Sequence, residues 1–213
     1  MVNHQETVVK LPRRKSNRFT TVIAIALIGG GAYILSTAFS PWLLSHFTNP
    51  THNKTTQLIT KTENEITQNR LYIPTLDINL PYDTGSASVM ERGAWWRQPS
   101  NGNPQDGGNF VLSAHRFVMG LTPQQTQRKS PFYTINKLRV GDKIIIDYNG
   151  KRYNYIIRKI FDVKPNAVEI ERRTDTPQLT LYSCTLGGSS DGRNVIVATL
   201  DGQKDGQKSD QKT

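Results

Sequence analysis

Cysteine and histidine are scarce in this chain. Among its 213 residues there is one cysteine, Cys184, and there are four histidines. A single thiol excludes an intrachain disulfide, and it excludes a zinc site built from several thiolates. His4, His46 and His52 come before residue 70, where the sequence begins to look like a folded domain. His115 is therefore the one histidine available to a cysteine nucleophile in that domain.

Charged residues are missing from a long segment near the N-terminus. The 27 residues from Phe19 to Ser45 contain no charged side chain and are rich in Ile, Leu, Ala and Val, and a helix needs about 20 apolar residues to cross a bilayer. Basic residues precede this segment, so the positive-inside rule places the N-terminus in the cytoplasm and the rest outside the cell membrane. The pattern predicts a single-pass anchor. A cleaved signal peptide is the alternative, although its apolar region usually has only about 7 to 15 residues.

Composition divides the whole chain into five parts. The net charge of +10 and the pI near 9.8 would permit nucleic-acid binding, but the chain has no nucleic-acid motif, and this charge also suits an anionic membrane or wall surface. We therefore expect a membrane and no nucleic acid among the partners. The five parts are a basic cytoplasmic segment (1–18), a transmembrane anchor (19–45), a polar stalk (46–69), a catalytic β-domain (70–200) and a disordered polar tail (201–213).

Short strands dominate the pattern of the domain. The dipeptide Asn149-Gly150 lies between two apolar runs, 143–148 and 152–157, and this arrangement is typical of a β-hairpin with a type I′ turn. Seven or eight short strands with one or two small helices favour a closed β-barrel. The segment Val89–Trp96 predicts one of the short helices.

One apolar run ends at the single thiol. The strand-like segment Leu179–Ser183 leads directly into Cys184, a glycine-rich loop follows at 187–192, and Arg193 heads the next strand. A nucleophile and a charge that stabilises an oxyanion are brought together by such an arrangement.

The residues around this thiol resemble a known family. Thr180–Cys184 (Thr-Leu-Tyr-Ser-Cys), followed by Arg193, is similar to the sortase signature Thr-Leu-X-Thr-Cys. Val111–Arg116 resembles the histidine motif of the same family, and Leu71–Pro81 resembles its opening strands. The resemblance covers roughly residues 70 to 200.

The resemblance implies a fold and a chemistry. The expected fold is mainly β, a single closed eight-stranded sortase-like barrel with short helices, preceded by one N-terminal transmembrane helix. In such an enzyme Cys184 attacks a peptide carbonyl and forms a thioacyl intermediate, His115 moves the protons, and Arg193 stabilises the oxyanion. Neither a metal nor any other cofactor is implied.

The resemblance also implies substrates and partners. The substrates are secreted proteins with a sorting signal similar to Leu-Pro-X-Thr-Gly, and the acceptor is an amine on a cell-wall precursor or a pilin lysine. Ser183 and Ala114, which stand where the family usually has threonine and often has glycine, are expected to contact the substrate. Val168 and Ile170 are expected to line its groove.

Two other functions remain open at this point. One is another exported cysteine transpeptidase or peptidase, although the Ser-His-Gly-Cys motif of peptidoglycan cross-linking enzymes is absent from the sequence. The other is a non-catalytic β-barrel binding module on a membrane tether, in which the thiol has no chemical role. The placement of Cys184 relative to His115 and Arg193 discriminates between an enzyme and a binding module.

Overall fold

A computed structural model of the chain describes residues 18–47, 54–61 and 66–202. The expected cytoplasmic segment, apart from Arg18, and residues 203–213 of the expected tail lie outside these ranges. By internal contacts the chain forms two units, residues 1–36 and residues 37–213.

The N-terminal helix is long and apolar. Helix α1 (Arg18–Phe47) contains a stretch, Arg18–Leu43, that is long and apolar enough to cross a membrane. Within the first unit, every side chain of α1 from residue 18 to residue 36 is exposed. Apolar side chains exposed all round a helix suit a lipid environment, so this helix suggests a membrane anchor.

Two further α-helices in the described ranges are short. Helix α2 (Lys54–Lys61) bonds to the β-domain, because the backbone and hydroxyl of Thr55 donate to Asp77 Oδ1 at 2.8 and 2.6 Å and Arg152 donates to the Ile59 carbonyl at 2.8 Å. Helix α3 (Pro123–Lys129) begins at Thr122, whose hydroxyl accepts a hydrogen bond from the Gln125 backbone.

The described residues of the second unit contain nine strands. They are β1 (Arg70–Ile73), β2 (Ile78–Asp83), β3 (Ala94–Arg97), β4 (Gly102–Asn103), β5 (Gly107–Ser113), β6 (Lys143–Tyr148), β7 (Lys151–Val163), β8 (Gln178–Thr185) and β9 (Gly188–Leu200). Eight of them pair in the order β3-β2-β1-β6-β7-β9-β8-β5, and β3 also pairs with β5, which closes the ring. The short strand β4 pairs only with β5. The predicted closed eight-stranded barrel is therefore confirmed.

The strongest hairpin signal in the sequence forms the β6–β7 turn. Asn149 and Gly150 adopt φ values of 47° and 74°, the left-handed conformations that a type I′ turn requires. The flanking strands pair antiparallel from Tyr148 and Lys151 outward. The predicted hairpin is confirmed.

Alternation along the strands separates two apolar clusters. The interior of the barrel is filled by side chains such as Phe110, Leu112, Leu181 and Ile196. A second and smaller cluster covers the outside of β5, β8 and β9. It consists of Val111, Tyr182 and Val195, with Val163, Ile170 and Val197 packed against them. Because β5 is covered on both faces, nearly all its side chains are buried.

The predicted helix at Val89–Trp96 is wrong. A 3₁₀ turn covers Ala87–Glu91, and strand β3 follows at Ala94–Arg97. Gly93 explains the change, because a Cβ added there would lie 2.2 Å from the Pro81 carbonyl oxygen. This close approach sets the chain beside β2, where it extends and pairs in parallel.

Candidate active site

Strand β8 carries Cys184 on the outer face of the barrel. Leu181 points into the core and Tyr182 packs in the outer cluster. Side chains alternate between faces along a strand, so Cys184, two residues after Tyr182, lies on the outer face. Cys184 is partly exposed, so a substrate can approach this residue.

Arg193 is the register partner of Cys184. The two residues are paired across β8 and β9, and side chains directly opposite each other in such a pair have Cβ atoms about 4.5 to 5.5 Å apart. Strand β9 already begins at Gly188, so most of the glycine-rich segment expected to be a loop is strand. Arg193 therefore lies within the hairpin and not at its head.

The Arg193 guanidinium is held by neutral groups. Its Nη1 donates to the carbonyl oxygens of Ser189 and Gly192, both at 2.9 Å. The Asp191 carboxylate instead accepts a hydrogen bond from the Thr185 hydroxyl. Within the described part of the chain, Arg193 forms no ion pair with Asp191. Its positive charge thus stays available for a negative group beside Cys184.

His115 reaches the same end of the barrel from the other side. Strands β5 and β8 are parallel, and their last paired residues are Ser113 and Tyr182. His115 and Cys184 each follow two residues later, and adjacent strands lie about 4.8 Å apart. The backbone stays in register beyond the last pair, because the Ala114 amide donates to the Tyr182 carbonyl at 3.4 Å. The structure thus brings His115, Cys184 and Arg193 to one end of three adjacent strands.

A carboxylate that the sequence did not single out lies beside the histidine. Glu91 Oε1 is 3.6 Å from His115 Nε2, and Glu91 Oε2 is 2.9 Å from Lys129 Nζ. The hydrogen bond and the charge of Lys129 lower the pKa of Glu91, with a smaller contribution from His115. No local pattern links residue 91 to residue 115, so only the fold reveals this contact.

The outer cluster lies on the same face of the barrel as Cys184, where the resemblance to sortases predicts the substrate groove. The 3₁₀ segment Val168–Glu171, between β7 and β8, contacts this cluster, and we call this segment the wall. Ile170 packs against the cluster, whereas Val168 is 68% exposed. Val168 and Ile170, the two residues that the resemblance assigns to the groove lining, both belong to this segment, and their contact with substrate remains a prediction.

The other two residues expected to contact substrate face inward. Ser183 is 1% exposed and Ala114 is 2% exposed, and Ala114 packs in the interior core cluster. The Ser183 hydroxyl donates to the Cys184 carbonyl at 3.1 Å. Their side chains thus support the site from below, and their substrate contacts remain a prediction.

The wall is fixed by an ion pair. Arg97 donates from Nε and Nη2 to the two carboxylate oxygens of Glu171 at 2.9 and 3.1 Å. The Tyr182 hydroxyl also donates to Glu171, and burial together with this carboxylate raises the pKa of Tyr182. Asn109, on β5, donates to the carbonyls of Ile170 and Arg172 at 2.9 and 2.8 Å. These bonds hold the wall against the outer cluster.

Among residues 18–47, 54–61 and 66–202, no group of three or more His, Cys, Asp or Glu side chains is arranged to hold a metal ion.

Comparisons with known proteins agree with this geometry. A family model described as "Sortase domain" matches residues 71–201. Sortase A of Streptococcus agalactiae serotype III (strain NEM316) is 32% identical over 148 residues, which cover 67% of this chain and 56% of that protein. Sortase A of Bacillus anthracis is 24% identical over 144 residues, which cover 63% of this chain and 60% of that protein. The chain thus spans less than two thirds of the length of these curated relatives.

Solved structures match the fold. A sortase D5 transpeptidase of Clostridium perfringens has a TM-score of 0.52 at 24% identity, covering 70% of this chain and 91% of that one. Sortase A of Listeria monocytogenes has a TM-score of 0.54 at 21% identity, covering 64% and 88%. At these identities the likeness shows a shared barrel and carries no information on substrate.

Proposed function

The chain belongs to the sortase family, and from that premise we propose that it is a membrane-anchored cysteine transpeptidase acting on secreted proteins. Its sorting signal is similar to Leu-Pro-X-Thr-Gly, and its acceptor is an amine on a cell-wall precursor or a pilin. The observation that carries the proposal is the register of β5, β8 and β9, which supports His115, Cys184 and Arg193 as one site.

Each residue has one role in the proposed reaction. The Cys184 thiolate attacks the carbonyl carbon of the Thr-Gly bond of the signal, and Arg193 stabilises the resulting oxyanion with its fixed fork of donors. The carbon–nitrogen bond breaks, and His115 protonates the departing glycine amine. The acyl group remains on Cys184 as a thioester.

The second half of the reaction reverses these steps. An acceptor amine attacks the thioester carbonyl and loses a proton to His115, and the thiolate leaves as the new amide forms. Water in place of the amine gives hydrolysis. Export by α1 would place this site outside the cell, with the N-terminus in the cytoplasm.

Intact-mass spectrometry tests the covalent step. The full chain in detergent, mixed with a sorting-signal peptide, should gain the mass of the acyl fragment on Cys184 and release the glycine-containing fragment. Addition of an amine should yield one transfer product. The Cys184→Ala variant should form neither adduct nor product, because the chain has no other thiol. Full turnover by that variant would favour a chemistry without the thiol, and a folded wild type with no turnover would favour a binding module.

A further inference from the structure

The segment directly after His115 exposes apolar side chains at alternate positions. In this 117–121 loop, Phe117 is 41% exposed, Met119 is 50% exposed and Leu121 is 81% exposed. A surface loop seldom exposes three large apolar side chains within five residues. Exposed apolar patches of this kind mark surfaces of interaction.

The loop is built on a rigid support. Its backbone bonds to side chains of helix α3 and of Ser130, the residue that follows the helix. These bonds join Val118 N and Ser130 Oγ (3.0 Å), Gly120 N and Thr126 Oγ1 (2.9 Å), and Leu121 N and Gln125 Oε1 (2.9 Å). The Phe117 ring also lies 6.1 Å from the Tyr133 ring, measured between centroids. The exposed side chains are therefore held outward by the fold.

The segment that carries the loop is basic. Between residues 116 and 141 there are five basic residues and no acidic residue. Two of them, Arg128 and Lys129, lie in the last turn of α3. Lys129 pairs with Glu91, whereas Arg128 is exposed. Apolar side chains beside basic ones are the pattern of a segment that lies in the headgroup region of an anionic bilayer.

We propose that the 117–121 loop inserts Phe117, Met119 and Leu121 into the interface of an anionic lipid bilayer, while Arg128 contacts the headgroups. The charge of the surrounding segment favours this occupant over a second copy of the chain, since two surfaces of the same sign repel. The inference rests on the proposed anchoring only in that α1 keeps the domain close to a bilayer. Membrane contact at this loop would fix how the domain, and the site that begins at His115, faces the lipid.

Depth-dependent quenching in nanodiscs tests the contact. In the test protein, the full chain carries Cys184→Ser and Met119→Cys, and an environment-sensitive dye is attached at position 119. The matched control carries Cys184→Ser and Val168→Cys, with the same dye at position 168, because Val168 is another exposed apolar residue. In nanodiscs that contain anionic lipid, quenchers on the acyl chains should quench the dye at 119 and leave the dye at 168 unaffected. Equal quenching at both positions, or none at either, would overturn the proposal. A spectral shift of the dye at position 119 that depends on the number of chains per disc and not on the quencher would also overturn the proposal, because it would show contact with a second copy of the chain.

Charge and activity complete the test. Replacing Arg128 by Gln should reduce the ratio of inserted to solvent-exposed dye about fivefold, the equivalent of ~1 kcal/mol for one basic residue at an anionic surface. Nanodiscs of zwitterionic lipid should reduce the ratio of inserted to solvent-exposed dye at least as much. If neither Arg128→Gln nor zwitterionic lipid changed this ratio, contact between Arg128 and the headgroups would be contradicted. In the native Cys184 background, Met119→Ser/Leu121→Ser should still cleave soluble peptide in detergent. Failure of peptide cleavage by the wild type would refute the proposed function and leave the quenching result standing.

Discussion

The Arg116 guanidinium donates to the side-chain oxygen of Asn194 at 2.7 Å. The residue that follows His115 is therefore bonded to the residue that follows Arg193. Arg116 is almost completely buried, with a second bond to Asn136 Oδ1 at 2.8 Å, and burial lowers its pKa. Because neighbouring residues face opposite sides of a strand, this bond lies beneath the outer face and ties β9 to the end of β5.

Removal of the Asn194 side chain should destabilise the fold. Asn194→Ala leaves a buried cation short of an acceptor, and a hydrogen bond to a charged group is worth about 1.5 to 3 kcal/mol. Urea unfolding should show a loss of this size. The matched control is Asn136→Ala, which removes the acceptor that solvent reaches more easily, and its loss should be smaller. Equal losses for the two variants would contradict a special role of the Arg116–Asn194 bond.

The position of the wall, the Val168–Glu171 segment, should depend on Glu171 more than on Glu169. Glu171→Gln removes the charge that pairs with Arg97, and breaking this partly buried contact should cost about 1 to 3 kcal/mol. If the wall binds the sorting signal, KM for peptide should rise more than kcat falls. Glu169→Gln, an exposed change in the same 3₁₀ segment, should alter neither stability nor KM. A Glu171→Gln enzyme with normal KM would mean that the wall does not hold substrate.

Much of this framework was predictable because it depends on local patterns. The alternating runs on both sides of Asn149-Gly150 and the apolar run before Cys184 indicated barrel strands. The single thiol, the one histidine of the domain and Arg193, together with the resemblance to sortases, indicated the candidate site. The contacts of Glu91 with His115 and of Arg97 with Glu171 were missed, since each pair is distant in sequence and meets only through barrel closure. The strand at Trp95 and Trp96 was missed because the packing of Gly93 against Pro81 is not visible in local propensity.

Lys129 should control the ionisation of Glu91. Its hydrogen bond and charge lower the pKa of Glu91, so Lys129→Gln should raise that pKa toward its ordinary range. The pKa of Glu91 is lowered because Lys129 favours the charged form of Glu91. Their ion pair is therefore intact at neutral pH and is lost as the pH falls through the lowered pKa. NMR titration of the Glu91 side-chain carboxyl measures the shift. Arg128→Gln is the matched control, and a Glu91 titration that is the same in all three proteins would exclude the ion pair from solution.

Arg193 gives the sharpest division between an active site and a structural pair. Because Arg193 stabilises the oxyanion in the proposed reaction, its replacement by Ala should slow single-turnover thioacylation by a factor of roughly 10² to 10³. Lysine should restore only part of the rate, because it supplies a point charge without the planar fork of donors.

Stability supplies the control for this variant. Arg193 also donates to the carbonyls of Ser189 and Gly192. One of these bonds is exposed and the other partly buried, and each is worth about 0.5 to 1.5 kcal/mol, so the melting temperature should fall slightly. Asp191→Asn tests the structural alternative. Because Asp191 bonds to Thr185 and not to Arg193, that variant should keep its thioacylation rate. A rate for Arg193→Ala within about threefold of wild type, less than 1 kcal/mol of barrier, would remove the arginine from the mechanism and assign the oxyanion to backbone amides near Cys184.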